Sequence, residues 1–121
     1  MGFERFTQAG RAFRPKVSIR STGQIGFSHG CVERYALEKT PYAVLFYDSD
    51  ARKVGIKPTS EKNEEGALRL SVRSGNGSIS ARSFFDYYRI EYSKTRSFDV
   101  VYDEEIGMLI INLSQAEKRV G

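Results

Sequence analysis

The sequence contains little of the chemistry on which many small enzymes and metal-binding domains depend. Among 121 residues there is one cysteine, one histidine and no tryptophan. One cysteine cannot form a disulfide within the chain, and one cysteine with one histidine cannot supply the four ligands of a structural zinc site. No apolar run approaches the roughly 18 residues of a membrane-spanning helix, and residues 1–6 lack the apolar core of a secretion signal. These absences predict a cytoplasmic protein without metal, cofactor, disulfide or membrane contact.

The positive charge is concentrated at the N-terminus. The formal net charge is +4, and the only acidic side chain among the first twenty residues is Glu4. From residue 21 onward basic and acidic side chains balance. Residues 1–15 are therefore predicted to be a flexible basic arm. Its Arg5, Arg11 and Arg14, with the adjacent Lys16, are candidates for phosphate contacts; the alternative is a solvated tail.

One short phrase occurs twice in the chain. Residues 17–21, Val-Ser-Ile-Arg-Ser, return as residues 70–74, Leu-Ser-Val-Arg-Ser. The alternation predicts a strand in each copy, with Val17 and Ile19 inward and Arg20 outward, and likewise Arg73 outward. Each copy is followed by a similar sequence of apolar and polar segments, which predicts strand–strand–helix–strand–strand twice, in residues 16–58 and 67–113. Polar residues 59–66 are the predicted linker, and residues 114–121 are a polar tail.

Local signals mark the turns and helix starts. Ser28 and Ser80 are predicted to precede the two helices as capping residues. Gly75-Asn76-Gly77 predicts the turn that ends the strand formed by residues 67–74, because these residue types tolerate positive φ. Residues 98–102 and 108–113 are predicted to form the last hairpin, around an acidic turn.

One such unit has too small a core and leaves sheet edges open. Two units related by a pseudo-twofold axis can pair those edges and share one core. The predicted fold is therefore mainly β with short α-helices, a single domain of residues 16–113 in which two repeats form a pseudo-dimeric barrel. Whether the chain is a monomer or a homo-oligomer stays open.

This pattern resembles the AbrB/MazE/SpoVT swapped-hairpin family, with two units in one chain as in the MraZ arrangement. A double-psi barrel is the second choice. The resemblance implies double-stranded DNA as partner and a role as transcription regulator or antitoxin-like module. It places DNA contacts at Arg20 and Arg73 on the first strands, at Arg34 in the first helix and at Arg82 near the start of the second.

A non-catalytic protein-interaction or assembly module is the alternative function. It is favoured by Gly23-Gln24 and Gly77-Ser78, which occupy the turns where the family carries Gly-Arg. Catalysis is not predicted. His29 and Cys31 are close in sequence, but a Cys–His nucleophile needs a third, orienting group, and the second copy has no such pair.

Overall fold

A computed structural model describes residues 14–115. This part of the chain contains ten strands and two α-helices, with a short 3-10 helix at Leu37–Lys39. In chain order the elements are β1 (Lys16–Ile19), β2 (Gln24–Phe27), α1 (His29–Arg34), β3 (Tyr42–Asp48), β4 (Lys53–Thr59), β5 (Leu68–Arg69), β6 (Ser71–Arg73), β7 (Asn76–Ser80), α2 (Arg82–Tyr88), β8 (Arg96–Asp99), β9 (Val101–Asp103) and β10 (Met108–Asn112).

The strands form two antiparallel sheets of five strands each. The first sheet has the order β6-β7-β2-β1-β8 and the second has the order β5-β3-β4-β10-β9. The prediction of a mainly β fold with short helices is confirmed. The strands expected at residues 67–74 and 98–102 are each divided in two, at Leu70 and at Val100. At these two residues the chain passes from an edge of one sheet to an edge of the other.

The hydrophobic core lies between the inner faces of the two sheets. Alternation along each strand directs one side chain inward and the next outward. The inward residues of the first sheet include Val17, Ile19, Ile25 and Ile79, and those of the second include Val54, Ile56, Leu109 and Ile111; all eight are fully buried. Burial of each such side chain contributes about 1.5–3 kcal/mol to the hydrophobic stabilisation.

Both sheets combine strands from the N-terminal and the C-terminal half of the chain. At the centre of the first sheet β2 pairs with β7, with Ile25 opposite Ile79. In the second sheet β4 pairs with β10, with Gly55 opposite Ile110. In addition β1 pairs with β8, and β5 pairs with β3. Neither half forms a complete sheet without the other.

The two hairpins of the first sheet have different turns. The β1–β2 turn includes Gly23 at φ +87°, whereas β6 and β7 are joined by Ser74 and Gly75, at φ +52° and +83°. The expected turn at Gly75-Asn76-Gly77 is therefore displaced, because Asn76 and Gly77 belong to β7. Two consecutive residues at positive φ match the two-residue turn that suits the right-handed twist of a hairpin.

The helix starts also differ. The Ser28 hydroxyl accepts a hydrogen bond from the Cys31 backbone N–H at 3.2 Å, so the predicted cap of α1 is confirmed. Ser80 is not a cap. It is the last residue of β7, and α2 begins after Ala81 with no side-chain cap.

Substitution of Gly75 by alanine tests the β6–β7 turn. We expect Gly75→Ala to lower the free energy of unfolding by about 2–3 kcal/mol, since alanine at positive φ costs about 1–2 kcal/mol. The added Cβ would also collide with the His29 ring, which now contacts Gly75. Gly66→Ala is the matched control, because Gly66 has φ +80° but only Val44 nearby, at 3.6 Å. Denaturant unfolding measures both, and equal losses would contradict a role for His29 in the turn.

Candidate nucleic-acid interface

The outer face of the first sheet carries a row of small residues. Strand pairing places Ser71 opposite Ser78, Ser78 opposite Gly26, Gly26 opposite Ser18 and Ser18 opposite Ser97. Directly opposed residues of antiparallel strands point to the same side of the sheet. We call these five residues the serine row. It crosses every strand of the first sheet and has no bulky side chain.

Basic residues flank this row along β1 and along the β5–β6 segment, in which Arg69 belongs to β5 of the second sheet and Arg73 to β6 of the first. Lys16 and Arg20 lie two residues before and after Ser18, and Arg69 and Arg73 lie two residues before and after Ser71. Two residues of strand span about 6–7 Å, and β1 is separated from β6 by three strand spacings, about 14 Å. The backbone positions of the four basic residues thus lie around the serine row, with Arg69 on the second-sheet side of the passage at Leu70. We call the row, the four cations and the adjacent Gln24 and Ser80 the serine face.

Arg20 lies flat on this face. It is half-buried, its guanidinium covers Gly26, and a Cβ on Gly26 would collide with it. Its Nη1 donates a hydrogen bond to Gln24 Oε1 at 3.4 Å. Gly26 therefore provides the space in which the arginine is held against the sheet, as expected where another group approaches the backbone closely.

The charges of the serine face are unequally compensated. Lys16 Nζ lies 3.0 Å from Asp99 Oδ1, so that corner is an ion pair. Arg69 and Arg73 border a recess of 540 Å³ whose other lining residues are Gln24, Leu68, Ser71, Ser78 and Ser80. Among the described residues that line this recess there is no carboxylate. It offers guanidinium, hydroxyl and amide groups together.

The remaining predicted site residues lie elsewhere. Arg82, the first residue of α2, donates from Nη2 to the Thr22 carbonyl at 3.1 Å, beside the β1–β2 turn that follows Arg20. Arg34 is exposed at the end of α1 and does not line the recess. Arg14 is exposed, and its carbonyl accepts a hydrogen bond from the Ser28 hydroxyl. Arg5 and Arg11 are outside the described residues, as is the basic arm up to residue 13.

Arg69, Gln24 and the serines of β7 were not foreseen as site residues. The available signal was the alternation itself. Ser18 is flanked at two residues' distance by Lys16 and Arg20, and Ser71 is flanked in the same way by Arg69 and Arg73. In the second copy the outward-facing position two residues before Ser71 is Arg69, so the same alternation predicts Arg69 as a site residue.

His29 and Cys31 have separate surroundings. The Cys31 side chain is fully buried, and this burial raises the pKa of its thiol to about 12. The His29 ring contacts the Gly75 carbonyl through Nδ1 at 3.2 Å, and its Nε2 is 3.5 Å from Glu33 Oε1. Both ring nitrogens thus have partners other than the thiol.

Residues 14–115 contain no group of three or more histidine, cysteine or acidic side chains that could hold a metal ion. No helix among them has the length and apolar character needed to cross a membrane. No family model matches the chain, and comparisons with curated proteins and with solved structures find no match.

The raised pKa of Cys31 predicts its reactivity. The thiolate is the reactive form, so a buried, protonated thiol should react very slowly with a thiol reagent in the native protein at about pH 8. In denaturant the same reagent should label the cysteine stoichiometrically. The rates are measured by absorbance with a chromogenic disulfide. Rapid labelling of the native protein would show that the thiol is accessible and ionised.

Proposed function

We propose that this protein is a non-enzymatic DNA-binding protein that contacts duplex phosphates through the serine face. The observation that carries the proposal is the recess of the first sheet, where Arg69 and Arg73 stand among serine hydroxyls and Gln24, and no carboxylate is among its lining residues. Guanidinium groups, hydroxyls and amides are the donors that proteins use for phosphate oxygens. A cytoplasmic transcription regulator or antitoxin-like module is the role we infer.

Small side chains and peripheral cations suit a wide polyanion. The serine row lets a phosphate backbone approach the hydroxyls and the Arg20 guanidinium that lies over Gly26, and the backbones of β1 and β6, which carry Arg20 and Arg73 at their ends, lie about 14 Å apart. Each phosphate neutralised by such a cation releases condensed counterions, which makes binding strongly salt-dependent. Hydroxyl and backbone contacts would fix the position of the duplex without reading its sequence.

We also propose that the domain is a duplicated barrel of the swapped-hairpin type. The strand pairings that support it are between halves: β2 with β7, β4 with β10, β1 with β8 and β5 with β3. At Leu70 and at Val100 the chain passes from an edge strand of one sheet to an edge strand of the other. These two connections support a closed barrel, because they join the two sheets along their edges. On such a body Arg20 and Arg73 occupy opposite corners of the serine face, an arrangement that suits a duplex with its own twofold symmetry.

Removal of the two recess arginines tests the DNA-binding proposal. Arg69→Ala/Arg73→Ala should weaken binding to a mixed-sequence duplex by about tenfold or more at low salt, because two phosphate contacts are lost. The slope of log K against log salt should also become shallower by roughly 1–2. Fluorescence anisotropy with a labelled duplex, over a series of salt concentrations, measures both quantities.

The matched control is Arg52→Ala/Lys53→Ala. It removes the same charge from exposed positions in the β3–β4 hairpin of the second sheet. Affinity and salt slope should stay near those of the unmodified protein. If both double variants lose affinity equally, binding follows net charge alone and the serine face is not the site. Absence of association at low salt would refute DNA binding itself.

A further inference from the structure

The second sheet presents an outer face of opposite character. Strand pairing places Phe46 opposite Gly55, Gly55 opposite Ile110 and Ile110 opposite Val101. We call these four residues the apolar row. Phe46 is 42% exposed, Val101 is 67% exposed, and the nearby Ile106 is 49% exposed. Outward strand positions of a solvated sheet normally alternate to polar residues, so a row of this kind marks a contact surface.

A groove lies along the apolar row. Its volume is 240 Å³, and its apolar lining includes Phe46, Ile106, Met108 and Ile110 around Gly55. The volume is below the roughly 300 Å³ of small ligand pockets. The Met108 sulfur covers Gly55, and a Cβ there would approach it to 2.7 Å. A methionine adapts its shape to different neighbours. The groove therefore suits a large side chain of a polypeptide better than a cofactor.

An acidic recess adjoins the groove. It measures 760 Å³ and shares Lys53 and Ile110 with the groove. Its lining includes four carboxylates, Asp99, Asp103, Glu104 and Glu105, against the single ammonium group of Lys53. Among the ion pairs formed within residues 14–115, Asp99 is the one carboxylate of this lining that takes part, with Lys16. Apolar anchoring positions and an excess of acidic over basic lining residues thus lie side by side on this face.

We propose that this face of the second sheet is a docking surface for an extended basic segment that carries aromatic side chains. The apolar row and its groove would take the aromatic rings, and the carboxylates of the recess would pair with flanking lysine or arginine. Aromatic and arginine side chains are the residues that dominate binding energy at protein interfaces. The carboxylates repel phosphates, so this surface is distinct from the serine face and does not depend on the proposed DNA binding.

The sequence of this chain contains a segment with that chemistry. Phe3, Phe6 and Phe13 are interleaved with Arg5 and Arg11. These residues are outside the described part of the chain. A synthetic peptide with the sequence of residues 1–14 is therefore a suitable probe of the surface, offered to the full-length protein.

The experiment measures binding of the labelled peptide by fluorescence anisotropy at low salt. Two proteins are compared, the unmodified chain and the full-length chain with Phe3→Ser/Phe6→Ser/Phe13→Ser, in which the segment of the protein itself is a poor competitor. We expect Val101→Asp to weaken peptide binding about tenfold, through loss of an apolar contact. Glu104→Lys/Glu105→Lys should weaken it by about tenfold as well, through reversed charge. Each of these substitutions is introduced into whichever of the two proteins binds the peptide.

Two control variants match these changes. Tyr87→Asp introduces a carboxylate at a 79% exposed aromatic position of α2. Glu61→Lys/Glu65→Lys reverses two exposed acidic residues between β4 and β5. Both should leave peptide affinity within about twofold. Circular dichroism verifies the fold of every variant, and the charge-reversal pair, confined to an exposed turn, provides the second test if Val101→Asp fails to fold.

Two results of this experiment support the proposal, and two others overturn it. Binding by both proteins, reduced by the second-sheet variants and not by the controls, supports the proposal. Binding only by the phenylalanine-depleted protein, with the same variant pattern, also supports it and identifies the segment of the chain itself as the occupant. The proposal is overturned if neither protein binds the peptide, or if binding persists unchanged in both second-sheet variants.

Discussion

The antiparallel pairing of β2 with β7 is the constraint on which the rest of the structure depends. It joins the two halves of the chain with Ile25 opposite Ile79, both fully buried. The same register places Gly26 opposite Ser78 and so makes the serine row continuous across the first sheet. A shift of one residue would turn the isoleucines outward and the serines into the core. The register of this one strand pair therefore determines which of its residues lie in the core and which lie on the outer surface of the first sheet.

The outer faces of the two sheets share one structural feature but differ in chemistry. Each has a glycine in a central strand, Gly26 in the first sheet and Gly55 in the second, and each glycine is covered by a long side chain, Arg20 or Met108. The missing Cβ lets that side chain lie flat against the backbone. One face thereby holds a guanidinium among hydroxyls, and the other holds a thioether among hydrocarbons. The protein presents a basic polar surface and an acidic apolar surface on opposite sheets.

The alternation of apolar and polar residues correctly predicted the orientation of side chains whose position depends only on their own strand. Val17 and Ile19 are inward, and Arg20 and Arg73 are outward, as period-two patterning requires. The divisions at Leu70 and Val100 depend on which sheet each neighbour belongs to, and no local signal carries that information. The turn position was missed for a similar reason. Asn76-Gly77 is the stronger local turn signal, but Gly77 packs against Phe27 and Val32, where a Cβ would be 3.3–3.4 Å from both side chains.

The position of β1 has a consequence for the synthesis of the protein. This strand, near the start of the described chain, is enclosed between β2 and β8, and β8 belongs to the last third of the chain. On the ribosome its hydrogen-bonding edge and apolar residues stay without their final neighbour until β8 has emerged. Contacts between such distant segments slow folding. Until β8 has emerged, the nascent N-terminal half therefore exposes an unpaired strand edge, which favours association with other chains.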